Sequence, residues 1–263
     1  MMRKPLGTRS SGFTSSAKCG VKHSVFFPYR AAWPSLALLF FLGGISLFWD
    51  ALNFDNAVSS YWGNAAGFPL KVDEFWGVAV YKAQRLLGWV CMALLVWMVC
   101  KPPSFATSFQ RMPPQRRWFM LAGVIAASLL IQWLKWRSLT SCPWDYQIFG
   151  GIAQDISHWR FGQHDGGPGR CFPAGHPSAG FAFLAVPVFL SLHSRRQAIW
   201  LAVAAMSVGG LLGLTQITRG AHFVSHVLWS AWWCAAAACV MLLICLAWEQ
   251  HGVRQRSAAS NSD

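Results

Sequence analysis

Two short clusters hold most of the residues that could do chemistry. One runs Arg170-Cys171-Phe172-Pro173-Ala174-Gly175-His176, the other Arg219-Gly220-Ala221-His222-Phe223-Val224-Ser225-His226. Each stands where a polar loop meets an apolar run, and Lys135 stands at a third such junction. Arginine presents a planar fork of donors and lysine a compact point charge, and both suit phosphate oxygens. Histidine titrates near neutrality and can serve as nucleophile, acid or base. Ionisable groups at a membrane surface read as functional by default. Three histidines beside two arginines and a lysine therefore point to phosphoryl chemistry at such a surface. The same histidines leave a second chemistry open. His222 and His226, four residues apart, could ligate a metal or haem together with His176. No H-E-x-x-H pattern is present, and the neighbouring cationic side chains oppose a bound cation. A non-catalytic membrane scaffold or transporter is the remaining alternative.

The elements that must position these residues are apolar helices. Of 263 residues, 54% are hydrophobic, 16 are Trp and only 12% are charged. A bilayer-crossing helix takes roughly 20 mostly apolar residues, with a working range of about 17–25. Six runs approach this: 31–49, 86–100, 118–134, 178–193, 198–217 and 227–248. The second is short unless Lys82 and Arg85 extend it by snorkelling, and Pro187 is expected to kink the fourth. The fold expected is all-α, a polytopic membrane protein built as a single six-transmembrane-helix bundle over 31–248. Residues 1–30 carry six Lys/Arg and no acid. They lack the short charged region and small-residue cleavage site of a signal peptide, so they are expected as a basic cytoplasmic tail before a signal-anchor helix. Residues 249–263 are expected as a polar tail.

The formal net charge of +13 would suggest an anionic partner in a soluble protein. Here the excess follows topology. With the N-terminus inside, the inner segments hold fourteen Lys/Arg and two acids, and the outer segments eight Lys/Arg and seven acids. The positive-inside rule supports that orientation. It puts both termini in the cytoplasm and places Lys135, Arg170, His176, Arg219, His222 and His226 together on the outer side. No basic stretch is interleaved with aromatics for base stacking, so no nucleic acid is expected. The expected partners are the bilayer and a lipid substrate, and the oligomeric state is not legible.

The same residues resemble a known pattern. Pro173-Ala174-Gly175-His176 is similar to the P-S-G-H motif of the type 2 phosphatidic acid phosphatase superfamily. Gly220-Ala221-His222 with His226 is similar to its third motif, where aspartate follows the histidine by four residues. Lys135, six residues, then Cys142-Pro143 resembles the first motif, K-x-x-x-x-x-x-R-P. The resemblance covers about residues 118–248. It implies a membrane enzyme that removes phosphate from a lipid phosphate or diphosphate at the periplasmic face of a bacterial inner membrane. Undecaprenyl diphosphate, lipid A phosphate, phosphatidylglycerol phosphate and phosphatidic acid are the candidates. Lipid-to-lipid phosphate transfer by the same site is the alternative. The resemblance makes His222 the nucleophile of a phosphohistidine intermediate, and His176 the general acid. Lys135, Arg170, Arg219 and Gly175 become the phosphate-binding set, with no cofactor and no metal.

Three departures bear on this. His226 stands where the pattern has aspartate; on a helix it would share a face with His222 and could still accept a hydrogen bond from it as a third catalytic residue, but it carries no negative charge. Gln216 stands where the pattern has arginine, six residues before the nucleophile, and Arg219 is expected to reach the same phosphate instead. Cys142 replaces the arginine of the first motif. Of eight cysteines, only Cys142 and Cys171 fall in the outer loops. That compartment permits disulfides, so these two are expected to pair and tie the first motif to the second.

Overall fold

The structure is a computed structural model that describes residues 32–73 and 75–260. The basic tail expected over 1–30 lies outside the described residues, as do 261–263. The helices are α1 (Trp33–Leu52), α2 (Asp55–Ser59), α3 (Tyr81–Cys100), α4 (Thr107–Arg111), α5 (Pro114–Arg137), α6 (Ser178–Phe181), α7 (Ala185–Leu190), α8 (Arg195–Thr218) and α9 (Val224–Ser260). The fold is all-helical, with no strands among the described residues. Five helical segments are long and apolar enough to cross a membrane: Trp33–Leu52, Lys82–Cys100, Pro114–Arg137, Arg195–Thr218 and Val224–Ala259.

Local chemistry sets the boundaries. Pro34 and Pro114 sit in the first turns of α1 and α5, where a missing N–H costs no helical bond. Asn53 ends α1 in the left-handed conformation, φ 51°, a role for which asparagine is second to glycine. The Ser194 side chain accepts from the Gln197 N–H and caps α8. The helices overrun the apolar runs at several ends because polar residues continue them. The largest overrun is α9, which continues through the expected polar tail to Ser260.

α9 is the most buried of the five long helices and packs along α1 and α5. On α5, Met120, Val124, Ala127 and Ile131 recur every three to four residues on one buried face. Ala231, Ala235 and Ala238 of α9 join them in the same core, and such small residues let backbones approach closely in a membrane. The opposite faces are apolar and exposed: Phe40 of α1 is 73% exposed and Trp200 of α8 is 66% exposed. A helix apolar on its outer side as well as its inner side faces lipid.

The fourth expected span takes a different form. Ser178–Leu190 is a 13-residue apolar helical stretch, about 20 Å long at 1.5 Å per residue. Its middle, Ala182–Leu184, tightens into a 3-10 turn. Pro187 lies just beyond and cannot donate to the carbonyl four residues back, which falls in that turn. Gly180, Phe181, Ala185, Val188 and Phe189 are all buried, because the stretch is packed on by α3, α5, α8 and α9. Contact with α8 is backbone-close: a Cβ on Gly180 would lie 2.4 Å from the Gly209 nitrogen.

The loop between α5 and α6 is held by its own bonds. Buried Asp165 accepts from the Ser141 N–H at 2.6 Å, the Ser141 hydroxyl at 2.8 Å and the Gly167 N–H at 3.0 Å. Phe68, Tyr146, Phe149, Ala153 and Phe223 form a small separate core beneath it. Cys142 and Cys171 are joined by a disulfide, with their Cα atoms 5.2 Å apart and a sequence separation of 29. Closing a loop of that length contributes about 3.5 kcal/mol in the chain-entropy model. Reducing the bond should therefore lower the detergent-solubilised protein's melting temperature, and Cys142→Ser should do the same. A melting temperature unchanged by reductant, with both thiols newly labelled, would show that the bond does not restrain the fold.

Candidate active site

Four helix ends converge on one cavity. Lys135 comes from the last turn of α5, His176 from just before α6, Gln216 and Arg219 from the end of α8, and His222 from just before α9. The cavity measures about 230 Å³, and Cys142, Trp144 and Ala221 complete its lining. Gly175 borders it from behind: a Cβ there would sit 3.5 Å from Lys135 Nζ. That is an ordinary contact distance, so the ammonium lies beside the peptide that leads into His176.

His222 is 2% exposed. Its Nδ1 lies 3.4 Å from Cys171 Sγ. That sulfur is in a disulfide and has no proton to give, so it can only accept, and does so in the tautomer that carries the imidazole proton on Nδ1. In that tautomer Nε2 holds the free lone pair. Burial holds the His222 pKa well below the ordinary histidine value, helped by Lys135 and the neighbouring histidines and opposed by a hydrogen bond to the Cys171 backbone. A neutral buried imidazole is the nucleophilic form. His176 is pushed down to about 4, first by burial and then by Lys135, Arg219 and Arg85. The two cations that share the cavity with this imidazole, Lys135 and Arg219, suit it to a dense anion.

Gln216 has a part the sequence did not suggest. It lines the cavity, and its Oε1 accepts from Arg219 Nη1 at 3.5 Å. Its Nε2 donates to Gln84 Oε1 at 3.1 Å, and Gln84 donates onward to Thr215 at 2.5 Å. The carboxamide thus steadies the Arg219 guanidinium. Arg219→Ala should lower kcat/KM by one to two orders of magnitude, the value of a charge-assisted contact of about 1.5–3 kcal/mol. Gln216→Ala should cost less than about tenfold. Equal losses from the two would argue against Arg219 as the phosphate ligand.

The remaining sequence candidates lie elsewhere. Arg170 is exposed and does not line the cavity. Its backbone is in the left-handed region, φ 58°, and its N–H donates to the Ser138 carbonyl at 2.8 Å, while that of Cys171 donates to Thr140 at 2.9 Å. This pairing turns Cys171 inward and Arg170 outward. His226 is 1% exposed and packs edge-on to His222, ring centroids 5.9 Å apart. It faces a second cavity behind the first, lined also by Asp50, Asp55 and His158. Sequence reasoning also passed over Trp144, which follows the Cys142-Pro143 pair directly, and Arg85, read there as a snorkelling span end.

A metal does not suit this donor set. Among the described residues, the one trio of ligand atoms within reach of a single ion is Cys142, Cys171 and His222. The two sulfurs are bonded to each other, and it is the thiolate that ligates metal.

Lysine, arginine and two histidines are thus gathered at helix ends of an all-helical protein whose long apolar helices fit a membrane. Residues 116–250 match the PAP2 superfamily, and the chain belongs to it. Members of that superfamily are in general phosphatases acting on phosphate esters, often of lipids. No match was found among curated proteins or among solved structures.

Proposed function

We propose that this protein hydrolyses a lipid phosphate or diphosphate through a phosphohistidine on His222. The observation that carries the reading is the cavity that Lys135, Arg219, His176 and His222 line together. Lys135 and Arg219 bind the phosphoryl oxygens. His222 attacks phosphorus and His176 protonates the leaving oxygen. Water then attacks the phosphohistidine, giving its proton to His176 and releasing inorganic phosphate. Phosphoryl transfer is mostly positioning and charge stabilisation, and this cavity supplies both.

A lipid substrate is favoured by what lies below the cavity. An apolar groove of about 580 Å³ runs between α3, the Ser178–Leu190 stretch and α8, from Leu87 and Ala179 to Met98 and Gln197. It is wide enough for a hydrocarbon chain whose phosphate sits above. The Ser178–Leu190 stretch is the sixth crossing in this reading. It starts at the cavity, and α8 must return from the opposite end to bring Arg219 back. Six crossings leave both termini in the cytoplasm and the cavity on the periplasmic side of a bacterial inner membrane, which agrees with the bias of Lys and Arg.

Phosphate release from a panel of the four candidate lipids, by purified protein in detergent, tests the proposal. Release from at least one at enzymatic rates is expected, and release from none overturns it. Activity should survive chelator, because the cavity holds no carboxylate and the phosphate charge is met by Lys135 and Arg219. Strict loss in chelator, restored by one divalent ion, would revive the metal alternative.

A further inference from the structure

The aspartate of the family pattern holds negative charge beside the nucleophile, and His226 cannot do so. The structure offers a carboxylate from elsewhere. Asp50, in the last turn of α1, lies behind His226 across the second cavity, which is polar and about 280 Å³. Its Oδ2 accepts from Trp159 Nε1 at 2.9 Å and Trp229 Nε1 at 2.8 Å. His158 Nε2 lies 3.3 Å from the same oxygen, an ion-pair distance without hydrogen-bond alignment. Both indole donors are neutral, so they hold the carboxylate in place without cancelling its charge.

The rings between are in contact. His158 stacks on Phe172 at 4.4 Å between centroids, and His226 meets His158 edge-on at 6.3 Å. His226 in turn meets His222 at 5.9 Å. His226 Nδ1 is buried with no hydrogen-bond partner among the described residues. An orphaned imidazole nitrogen beside a polar cavity of this size calls for a water or a mobile proton. The charges are arranged in two layers. Lys135 and Arg219 line the front cavity, and Arg85 is near enough to act on His176, while Asp50, Asp55 and Asp155 line the rear one.

We propose that Asp50, acting through His158 and His226, replaces the missing aspartate as the positioning carboxylate for His222. The inference rests on His222 being the nucleophile. In the first step the Nε2 lone pair forms the N–P bond and the P–O bond to the leaving group breaks. That oxygen takes the proton of His176. His222 keeps its Nδ1 proton, so the phosphorylated ring is a cation. In the second step water adds to phosphorus, its proton goes to His176, and the N–P pair returns to Nε2. The ring is positive only between the two steps, and the field of the Asp50 carboxylate, acting across the packed rings of His158 and His226, stabilises it there. Substrate binding precedes that charge, so Asp50 acts on kcat and not on KM.

Asp50→Asn keeps an oxygen for both indoles and removes the charge. It should lower kcat by about 10–100-fold, the size of effect seen for carboxylates behind metal-bound histidines, with KM little changed. Asp50→Glu should retain most of the kcat, and adding His226→Asp to Asp50→Asn should recover part of the loss by putting a carboxylate directly behind His222. Melting temperatures of the purified variants check folding. Wild-type kcat in Asp50→Asn overturns the inference, as do equal losses in the Asn and Glu variants at equal melting temperature. Turnover in His222→Ala would overturn the underlying reading instead. A dead His222→Ala alongside a fully active Asp50→Asn leaves that reading standing and removes only the inference.

Discussion

Replacing His222 with alanine should remove turnover, by on the order of 10⁴–10⁶-fold, as expected when a nucleophile is deleted from a set that acts as a unit. Its ring is buried and its pKa is held low by burial, so the neutral attacking form is present across the neutral range. In the tautomer with its proton on Nδ1, which faces the disulfide sulfur, Nε2 is left for phosphorus. Alanine at this position leaves Lys135 and Arg219 able to bind phosphate. The variant should therefore still bind substrate and stay folded, and equilibrium binding of a labelled lipid phosphate together with phosphate-release assays would establish both. Full activity in the variant would take His222 out of the mechanism.

His176→Ala should cost about 10²–10⁴-fold, the range for a general acid. In the empty cavity His176 has a pKa of about 4, so at neutral pH it is deprotonated and cannot yet donate. A bound phosphate brings negative charge that offsets Lys135, Arg219 and Arg85, and the pKa rises in the complex. A phosphate monoester itself loses its second proton at about pH 6. The productive complex needs one proton shared between the ester and His176. As pH rises above about 6, neither partner brings it, and kcat/KM should fall. The alanine variant has a second signature. Its loss should shrink for a nitrophenyl phosphate, whose leaving oxygen needs no proton. Equal losses for alkyl and nitrophenyl esters would show that His176 binds and does not donate.

Much of the site was legible because its residues sit at chain positions that topology alone brings together. Lys135, His176, Arg219 and His222 each close or open an apolar run, and alternate crossings return those ends to one surface. Pairing of Cys142 with Cys171 was legible for the same reason. Arg170 was not, because its direction is decided by a backbone pairing with Ser138 across the loop, a long-range contact with no trace in local pattern. Gln216 read as a lost arginine, yet a buried carboxamide in an apolar helix needs partners, and Arg219 and Gln84 are those partners. The short Ser178–Leu190 stretch read as a full span because its composition is apolar throughout. Only its neighbours reveal that protein covers it. The run of α9 past Trp248 was hidden for the opposite reason. Charged and polar residues such as Glu249, Gln250 and Arg254 end an apolar run without ending a helix. Glu249 there forms a bidentate pair with Arg116 of α5, at 2.6 and 2.8 Å.

The central claim is that a phosphoryl group passes through His222. It is tested most directly by mixing purified protein with a lipid phosphate substrate, quenching rapidly, and mapping the covalently held phosphate by peptide mass spectrometry under conditions that preserve phosphohistidine. The account predicts phosphate on the peptide holding His222, appearing before steady-state release and missing from His222→Ala. Phosphate on any other residue, or turnover with none on His222, would contradict it.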